Sequence, residues 1–356
     1  MDIPPNESVR RSDTRHPPRL SVCVITYNQA PYIAQCLDSI LAQRPGCDFE
    51  IIVADDASSD GTRDIVEAYA RRYPGTIRAI LSDRNGGPTV NYFRAHEAAL
   101  GELVAHMDGD DYMLPDKLRR QVEVLDAHPE CAMCVHEVHK WQEHLACMSD
   151  APFFSGHIPV DAHGVGIVDF AFLAAHFPFF SHSSKMYRRT AAAGLRYEGE
   201  EMIDCHWHAY HASRGHIAFL NEPLSVYRVG IGVSIGAQAR RGSMLMPRLT
   251  TSWYVQQHFD TAVDYAARLG APVRLLRRSQ AMTYLGWSLS FGRAGDLSSF
   301  CWFAKRSWDS DRLGLKQRLV YWLSTRPRAA MTLLRYAYRI KYGLQRGKGE
   351  QRALYA

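Results

Sequence analysis

The chain has 356 residues, a length typical of two domains or of one large domain with an appendage. Hydrophobic residues make up 46% of it and charged residues 22%, which excludes a disordered or fibrous protein. No apolar run reaches the roughly 18 residues of a membrane-spanning helix, and none near the N-terminus resembles a signal peptide. Eight scattered cysteines in a chain of this size favour reduced thiols and a cytoplasmic location over a disulfide framework.

The net charge of +5 conceals an asymmetry between the two ends of the chain. Residues 240–356 contain 21 Lys and Arg against 6 Asp and Glu, whereas residues 1–239 are acidic overall. The acidic part is therefore the place to look for metal chemistry, and the basic part for a contact with an anionic surface.

Strands and helices are predicted to alternate after a polar tail at residues 1–18. The strands are short, apolar and β-branched, and the helices carry apolar residues at helical spacing. Such alternation predicts an α/β fold with a mostly parallel sheet covered by helices on both faces. The predicted strands are Leu20–Thr26, Phe49–Val53, Ile77–Leu81 and Glu102–Met107, and the predicted helices are Pro31–Gln43, Thr62–Arg72 and Thr89–Leu100.

Polar residues follow each of these strands, at the sheet edge where ligands bind in such folds. The acidic run at residues 108–111 ends the fourth strand, and three neighbouring aspartates repel one another unless a cation lies among them. Carboxylate oxygens suit Mg²⁺ or Mn²⁺.

The alternative interpretation of this acidic run is a solvated turn without a metal ion, before a helix that starts near Pro115 and Asp116. No glycine-rich phosphate loop follows the first strand, so a bound nucleotide needs another way to neutralise its phosphates. The polar clusters are Thr26-Tyr27-Asn28, Asp55-Asp56, Asn85-Gly86-Gly87 and Asp108-Gly109-Asp110-Asp111.

Taken together, these clusters resemble the inverting family-2 glycosyltransferases of the GT-A fold, a Rossmann-like fold of nucleotide-diphospho-sugar transferases. The resemblance covers residues 19–235 and includes a second stretch, Met202–Ser234, that is similar to the acceptor half of that family's domain. The first-half segments that carry it, in the family's order, are LSVCVITYN from Leu20, QCLDSILAQ from Gln35, FEIIVADDASSDGT from Phe49, Asn85–Gly87 and GELVAHMDGDDYMLPDKLRRQ from Gly101.

The resemblance implies a donor site and a metal ligand. Tyr27 and Asp56 are expected to contact the nucleobase, and Asp108 the ribose. Asp110 is expected to hold Mn²⁺ or Mg²⁺ against the diphosphate, with Gly109 leaving room for the ligand. Arg228 is expected either to reach a phosphate or to form a structural salt bridge. The full expected donor-binding set is Thr26, Tyr27, Asn28, Asp55, Asp56, Asn85, Asp108 and Arg228.

Transfer also needs a base that removes the proton of the acceptor hydroxyl. Asp204 matches the family's base position, and the alternatives are a first-turn acid without a catalytic role or a base supplied by Glu200-Glu201. Two departures from the family pattern stand nearby. Ile203 replaces the usual adjacent acid, and Gly230 stands where members often carry a histidine. The segment His182–Ser184 is expected near the acceptor.

Several other polar groups have predicted roles outside the chemistry. Cys131 and Cys134 fit a strand better than a zinc site, because structural zinc needs four converging ligands. His206, His208 and His211 lack the usual metal spacing on a helix and are predicted to be polar surface or to contact an acceptor. Helix or turn capping is predicted for Ser59, Thr62 and Asp111.

The resemblance predicts a GT-A catalytic domain at residues 19–239, with a nucleotide-binding half at 19–128 and an acceptor half at 129–239. A basic helical region is predicted at 240–356. Its segments Leu313–Leu323 and Pro327–Leu344 mix basic and aromatic residues, which is typical either of a membrane-surface element or of a helical cap with a basic exposed side. No nucleic-acid-binding pattern accompanies the charge.

These features predict a metal-dependent inverting glycosyltransferase that uses a nucleotide-diphosphate sugar, with UDP as the expected nucleotide, and a saccharide or lipid-linked acceptor. It would work in the cytoplasm, at the inner face of the plasma membrane if the basic region docks there. One alternative is a sugar-nucleotide nucleotidyltransferase, although the expected glycine-rich loop is absent. The other is a catalytically silent nucleotide-sugar-binding or membrane scaffold module.

Overall fold

The computed structural model describes residues 17–143, 146–149, 152–154, 156–177, 179–229, 231, 249–294 and 296–326. Most of the predicted N-terminal tail, Gly230 and the predicted helix Pro327–Leu344 lie outside the described residues.

The predicted alternation of strands and helices is confirmed in the first half of the chain. Pro88 occupies the first turn of the third helix, which begins two residues before the predicted Thr89 because proline has no amide hydrogen to lose there. The elements are β1 (Leu20–Thr26), α1 (Ile33–Leu41), β2 (Phe49–Asp55), α2 (Thr62–Arg72), β3 (Ile77–Leu81), α3 (Gly87–Glu97), β4 (Leu103–Asp108), β5 (Tyr112–Met113) and α4 (Lys117–Ala127).

The second half of the same sheet is built from longer and more irregular pieces. A 3₁₀ turn at His182–Ser184 and another at Arg189–Ala192 flank the strand at Met186–Arg188. The remaining elements here are β6 (Cys131–Gln142), β7 (Cys147–Ser149), β8 (Val165–Val168), α5 (Phe170–Ala175), β9 (Met186–Arg188), α6 (Asp204–Ala212) and β10 (His216–Val229).

All ten strands form one sheet, in the order β3-β2-β1-β4-β9-β6-β10-β5, with β7 beside β6 and β8 beside β10. Strands β1 to β4 are parallel, so their carboxyl ends meet at one edge. The antiparallel strand β9 joins this half to β6 and β10. The predicted mostly parallel sheet is therefore correct for the first half, and the second half is mixed.

The core of the sheet is apolar because the central strands are buried on both faces. Val22, Val24, Ile51 and Val53 are fully buried. The strand at Cys131 is predicted correctly, and Cys131–Cys134 are all buried, so both faces of this part of β6 are packed against protein. All eight cysteines are free thiols.

The chain forms two compact units. The first is made of two segments, one that ends at Leu173 and one that ends at Val229. The second unit contains Ala174–Phe177 and the helices that follow. None of the helices among the described residues is both long and apolar enough to cross a membrane. The helices of the second unit are α7 (Leu249–Arg268), α8 (Val273–Ala294), α9 (Leu297–Ser310) and α10 (Leu315–Ser324).

Candidate active site at the ends of the parallel strands

The loop after β1 is tied to the loop after β2. Asn28 has a positive φ of 51°, and its Oδ1 accepts a hydrogen bond from Ser59 N at 2.9 Å. The backbone N–H of Asn28 donates to Ser58 Oγ, also at 2.9 Å. Asp55 is fully buried and accepts from the amide and the hydroxyl of Ser58. Asn28 and Asp55 therefore shape the loops of the site, and Tyr27, directly before Asn28, is half-buried.

Asp56 anchors the loop that begins α3. Its two carboxylate oxygens accept from Gly86 N at 2.9 Å and from Gly87 N at 2.8 Å, and Arg94 approaches at 3.3 Å. Asn85 adds a bond from its Nδ2 to Asp56 O at 3.2 Å. Burial raises the pKa of Asp56, against these bonds, which lower it. The structure thus brings Asp56 and Asn85 together, as their positions at strand ends predict.

Neither Thr62 nor Ser59 caps a helix, although capping is predicted for both. The residue before α2 is Gly61, with a φ of 98° and no side chain, and the first helical amide, Thr62 N, donates to Asp60 Oδ1 at 3.0 Å. Thr62 is instead the first helical residue, and its hydroxyl accepts from Gln29 N at 2.8 Å and donates to Asp60 at 2.6 Å. The capping prediction for Ser59 is also wrong, because Ser59 contributes its backbone amide to Asn28.

The acidic run begins at the last residue of β4. Asp108 Oδ1 lies 3.1 Å from His106 Nε2, and Asp108 Oδ2 lies 3.1 Å from Ser183 Oγ. The Ser183 hydroxyl is also 2.6 Å from Asp111 Oδ2, so its single proton serves one carboxylate at a time. Ser183 was predicted only as a neighbour of the acceptor, and the structure places it between two carboxylates of the acidic run.

Asp111 does not cap the turn that follows it. Its Oδ1 accepts from Arg228 N at 2.9 Å, and the side chain is 2% exposed. The carboxylate therefore holds the end of β10 against the acidic run. The predicted capping role is wrong because the hydrogen-bond partners of Asp111 are 72 and 117 residues away in sequence.

Gly109 is needed for a different reason from the one predicted. A Cβ at this position would lie 2.6 Å from Gln29 Oε1 and 2.9 Å from Thr26 Cβ. Its backbone N–H donates to Ile25 O at 2.9 Å. The space that a side chain of residue 109 would need is filled by the end of β1 and the loop after it, so glycine allows the two loops to meet.

The three carboxylates of this run are costly to ionise together. Burial raises the pKa of Asp108 to about 6. Burial and the neighbouring charge of Asp108 raise the pKa of Asp110 to about 7, while Arg228 and a hydrogen bond from Gln29 act in the opposite direction. The pKa of Asp111 is raised too, first by burial and then by Asp110 and Asp108. A cation among these groups would remove much of that cost.

Asp204 is the first residue of α6, so it lies at the positive end of a helix. Its Oδ1 accepts from the backbone of Cys205 at 2.8 Å. Burial raises its pKa, and so does the negative charge of Asp108, whereas the charge of Lys185 lowers it. These interactions put Asp204, Asp108 and Lys185 in one electrostatic neighbourhood. Glu200 and Glu201 lie in an exposed stretch before the helix.

Arg228 faces the same neighbourhood from β10. Its guanidinium lies 5.0 Å from the ring centroid of Tyr32 and 5.1 Å from that of Tyr112, and one nitrogen donates to Gln35. Within the described part of the chain, its Nε and Nη1 are buried and have no hydrogen-bond partner. No salt bridge holds the side chain there, so two guanidinium nitrogens, with three N–H groups between them, remain for an anion.

Two contributors were missed from the sequence. Lys185 is fully buried, and burial lowers its pKa to about 7. His106 precedes Asp108 by two residues and is likewise fully buried. A signal was available for His106, since side chains two apart on a strand point to the same face. Lys185 follows a 3₁₀ turn, where no periodicity predicts its direction.

The predicted histidine surface on α6 is also wrong. His206 is 4% exposed, and His208 and His211 are fully buried. Cys131 and Cys134 belong to no metal-binding group among the described residues, where the single such group is His106, Asp108 and His182.

Known proteins resemble this chain in sequence and in fold. Residues 21–195 match the family model "Glycosyl transferase family 2". An uncharacterised protein of Mycobacterium tuberculosis is 39% identical over 212 residues, which are 59% of this chain and 58% of that protein. The chain therefore spans well under two thirds of the length of that relative.

Two solved structures share the fold. The S. aureus protein TarS, residues 1–349, in complex with UDP-GlcNAc has a TM-score of 0.58 and 18% identity, over 91% of this chain and 92% of that one. The mannosyltransferase PcManGT from Pyrobaculum calidifontis, in complex with GDP-Man and Mn²⁺, has a TM-score of 0.51 and 20% identity, over 90% of this chain and 85% of that one. Residues 21–195 belong to glycosyltransferase family 2, and the chain has the GT-A fold that its motifs resemble.

Proposed function

We propose that this protein is a metal-dependent inverting glycosyltransferase that transfers a sugar from a nucleoside-diphosphate donor, with UDP as the nucleotide, to a hydroxyl group of a saccharide or lipid-linked glycan. The observation that carries the proposal is the meeting of Asp108, Asp110, Asp204 and Arg228 at the strand-end edge of the sheet. Asp108 ends β4, Asp110 follows it by two residues, and the backbone of Arg228 is hydrogen-bonded to the neighbouring Asp111. The charge of Asp108 acts on the carboxyl groups of both Asp110 and Asp204.

The residues present fit a divalent cation at Asp110. This carboxylate is 7% exposed, and its pKa is raised by burial and by the charge of Asp108. Hard oxygen ligands beside a diphosphate suit Mg²⁺ or Mn²⁺, which keeps several waters. The cation would neutralise charge on the departing nucleoside diphosphate. Arg228 would add two donor nitrogens, Nε and Nη1, for the same phosphates.

We assign the base to Asp204. An inverting transfer needs one carboxylate that accepts the proton of the acceptor hydroxyl on the face opposite the leaving group. Burial raises the pKa of Asp204, which makes it a stronger base than an exposed aspartate. The first position of α6 fixes the direction of its side chain, whereas Glu200 and Glu201 lie on an exposed and non-helical stretch.

The donor class is supported by two structures that share the fold, one in complex with UDP-GlcNAc and the other with GDP-Man. We propose that Tyr27 and Asp56 contact the nucleobase and Asp108 the ribose, with Thr26, Asn28, Asp55 and Asn85 shaping that pocket. The free thiols support a cytoplasmic location.

The test is calorimetric titration of the full chain with UDP and with GDP, each in Mn²⁺, Mg²⁺ or EDTA. We expect UDP to bind in the presence of metal and to lose at least tenfold in affinity in EDTA. Asp110→Asn should abolish the dependence of UDP binding on metal, whereas the matched change Asp64→Asn, at an exposed position, should not.

If neither nucleotide binds to folded protein, the transferase proposal fails. Binding with no transfer to any acceptor would favour a silent module. Release of diphosphate from a nucleoside triphosphate and a sugar phosphate would favour a nucleotidyltransferase.

We also propose that α10 docks on an anionic lipid surface, where a lipid-linked acceptor would be found. Val320 and Leu323 face inward, whereas Leu315, Leu319 and Trp322 share an outward face and are 81%, 56% and 45% exposed. Spacing of four and three residues places these three side chains together. Exposed Arg312, Lys316, Arg318 and Arg326 surround them. Apolar anchors with a basic rim are typical of interfacial helices.

A further inference from the structure

Among the buried histidines of the first unit are His106, His182, His208 and His211, and a further histidine, His96, is half-buried. Burial lowers the pKa of each of them, so they are neutral imidazoles at neutral pH. A neutral imidazole has one nitrogen with a free lone pair, which is the form that binds metal ions. The proposed sugar transfer uses none of these rings.

Two of these rings form a cluster with Asp108. One ligand atom each from His106, Asp108 and His182 lies within 4.8 Å of the other two. His106 Nε2 and Asp108 Oδ1 are 3.1 Å apart, and the ring centroids of His106 and His182 are 3.8 Å apart. Ligand atoms around a tetrahedral zinc ion are separated by about 3.3 Å. One pair of the three already has this spacing, and the other ligand atoms would have to approach by up to about 1.5 Å to surround an ion.

Each histidine of this cluster has a partner for its other nitrogen. His106 Nδ1 lies 2.9 Å from His96 Nε2, and His96 Nδ1 lies 2.6 Å from Tyr187 Oη. His182 Nδ1 lies 3.1 Å from His208 Nε2. Metal-binding histidines nearly always have such a second hydrogen bond, which orients the ring and fixes its tautomer.

The chain of bonds from Tyr187 to Asp108 allows either tautomer of His106. With Nε2 protonated, His106 donates to Asp108 and accepts from His96. With Nδ1 protonated, it donates to His96, whose other nitrogen then donates to Tyr187, and Nε2 is free to bind a metal ion. Because a tyrosine oxygen both donates and accepts, the shift keeps both hydrogen bonds of His96 and leaves only His106 Nε2 open for the metal ion.

His182 supplies the independent observation that something binds here. Its side chain is 9% exposed, and its Nε2 is buried without a hydrogen-bond partner in the part of the chain that the structure describes. Leaving a buried polar atom unsatisfied costs about 1–3 kcal/mol. A ligand at this nitrogen would remove that cost.

The charges around the cluster also permit a cation. A protonated Lys185 would repel a bound cation. Its Nζ lies in the same buried region, 5.4 Å and 5.6 Å from the ring centroids of Tyr92 and Tyr187. Its pKa is lowered to about 7, however, so the lysine loses its proton readily. Asp108 contributes one negative charge to the cluster itself, and Asp204 adds another nearby.

We propose that His106, Asp108 and His182 form a binding site for a transition-metal ion of the Zn²⁺ class, separate from the oxygen-ligand site at Asp110. Imidazole nitrogens select zinc over Mg²⁺, and three protein ligands leave a fourth position for water. Since the ion takes the carboxylate that is proposed to hold the donor ribose, Zn²⁺ should compete with donor binding. Only this competition rests on the proposed function.

The test uses Zn²⁺ alone, titrated calorimetrically into the metal-stripped full chain without nucleotide. Cys147 is the exposed thiol, so all proteins carry Cys147→Ser to remove a competing ligand. We expect one equivalent of Zn²⁺ to bind and its affinity to fall at least tenfold in His106→Gln and in His182→Gln. Asp110→Asn and the exposed control His163→Gln should keep the affinity within about threefold.

Unchanged affinity in both folded histidine variants would overturn the site and leave an adventitious ion only. If either variant fails to fold, Co²⁺ bound to the Cys147→Ser protein gives the answer. A strong visible absorption band marks four-coordinate cobalt with nitrogen ligands, and a weak six-coordinate spectrum overturns the proposal. Because no nucleotide is present, failure here leaves the transferase proposal untouched, and failure to bind UDP leaves the zinc site untouched.

Discussion

Thr89 holds both backbone groups of Met202. Its hydroxyl donates to Met202 O at 3.0 Å and accepts from Met202 N at 2.9 Å, and both residues are buried. The contact joins α3, on the nucleotide side of the domain, to the stretch that leads into α6. Met202 lies two residues before Asp204, so this one side chain positions the proposed base relative to the donor loops.

Replacing Thr89 by valine should therefore impair transfer more than donor binding. Both bonds are lost, and unsatisfied backbone groups at Met202 cost about 1–3 kcal/mol of stability. A small displacement of Asp204 should lower kcat by ten- to a hundredfold. Steady-state kinetics and calorimetry with the nucleotide would separate the two effects. Thr89→Ser keeps the hydroxyl and should restore most of kcat, and failure of serine to do so would argue against this positioning role.

Asp204→Asn should leave nucleotide binding nearly intact and lower the transfer rate by about 10²–10⁴-fold, the usual contribution of a positioned base. The amide has nearly the shape of the carboxylate and keeps an oxygen for the bond from Cys205 N. The matched control is Glu201→Gln, which removes the charge of the alternative base. If the control loses activity and Asp204→Asn does not, the roles of these two residues are reversed.

The sequence predicts the strands and the site residues correctly where a periodic pattern or the end of a strand marks them. Strands β1 to β4 and the residues at their ends follow from apolar runs and chain order, as Asp56 and Asp108 show. It failed where a contact joins distant segments. Asp111 and Ser183 are 72 residues apart, and no local rule predicts that they share a hydrogen bond. His208 was misassigned because the helix that carries it is buried on nearly all sides, which removes the polar face that a surface helix shows.

The pH dependence of stability should reveal the buried carboxylates. A carboxyl group whose pKa is raised in the folded state binds its proton there more tightly than in the unfolded chain. The free energy of unfolding therefore falls as pH rises from about 4 to about 7, the range between the usual aspartate pKa and the raised value for Asp110. The buried histidines act in the opposite direction, because their pKa values are lowered.

Comparison with Asp110→Asn isolates the carboxylate contribution, since both proteins contain the same histidines. In EDTA, the variant should gain stability relative to the wild type as pH rises from 4 to about 7. Chemical denaturation at several pH values measures this difference. Millimolar Mg²⁺ or Mn²⁺ should stabilise the wild type at pH 7 and not the variant. A difference that is constant with pH would show that Asp110 titrates like an exposed aspartate.

Gly109→Ala should destabilise the domain by about 1–3 kcal/mol, the usual cost of overpacking. The new Cβ would lie 2.6 Å from Gln29 Oε1 and 2.9 Å from Thr26 Cβ, so the loop after β1 must move. Gly75 is a matched control, because no atom lies within 4 Å of a Cβ built there. Gly75→Ala should be neutral or slightly stabilising. Equal midpoints of thermal unfolding for the two variants would show that the loop yields without cost.

The lipid-docking role of α10 predicts that its outward leucines contribute binding free energy. Leu315→Ser with Leu319→Ser removes apolar surface worth about 2 kcal/mol on insertion, which corresponds to more than tenfold in vesicle affinity. Both side chains are exposed, so folding should be unaffected. Val273→Ser, at a side chain that is 55% exposed on α8, is the matched control and should bind vesicles like the wild type.

Cosedimentation with vesicles that contain phosphatidylglycerol measures this affinity, and vesicles of phosphatidylcholine provide the uncharged comparison. The basic rim of Arg312, Lys316, Arg318 and Arg326 should make binding weaker at high salt, because ions screen charges at a water-exposed surface. Binding that depends on salt but not on the leucines would assign docking to charge alone. Equal binding of the double variant, the control and the wild type to both kinds of vesicle would reject α10 as the docking element and leave it as a helical cap.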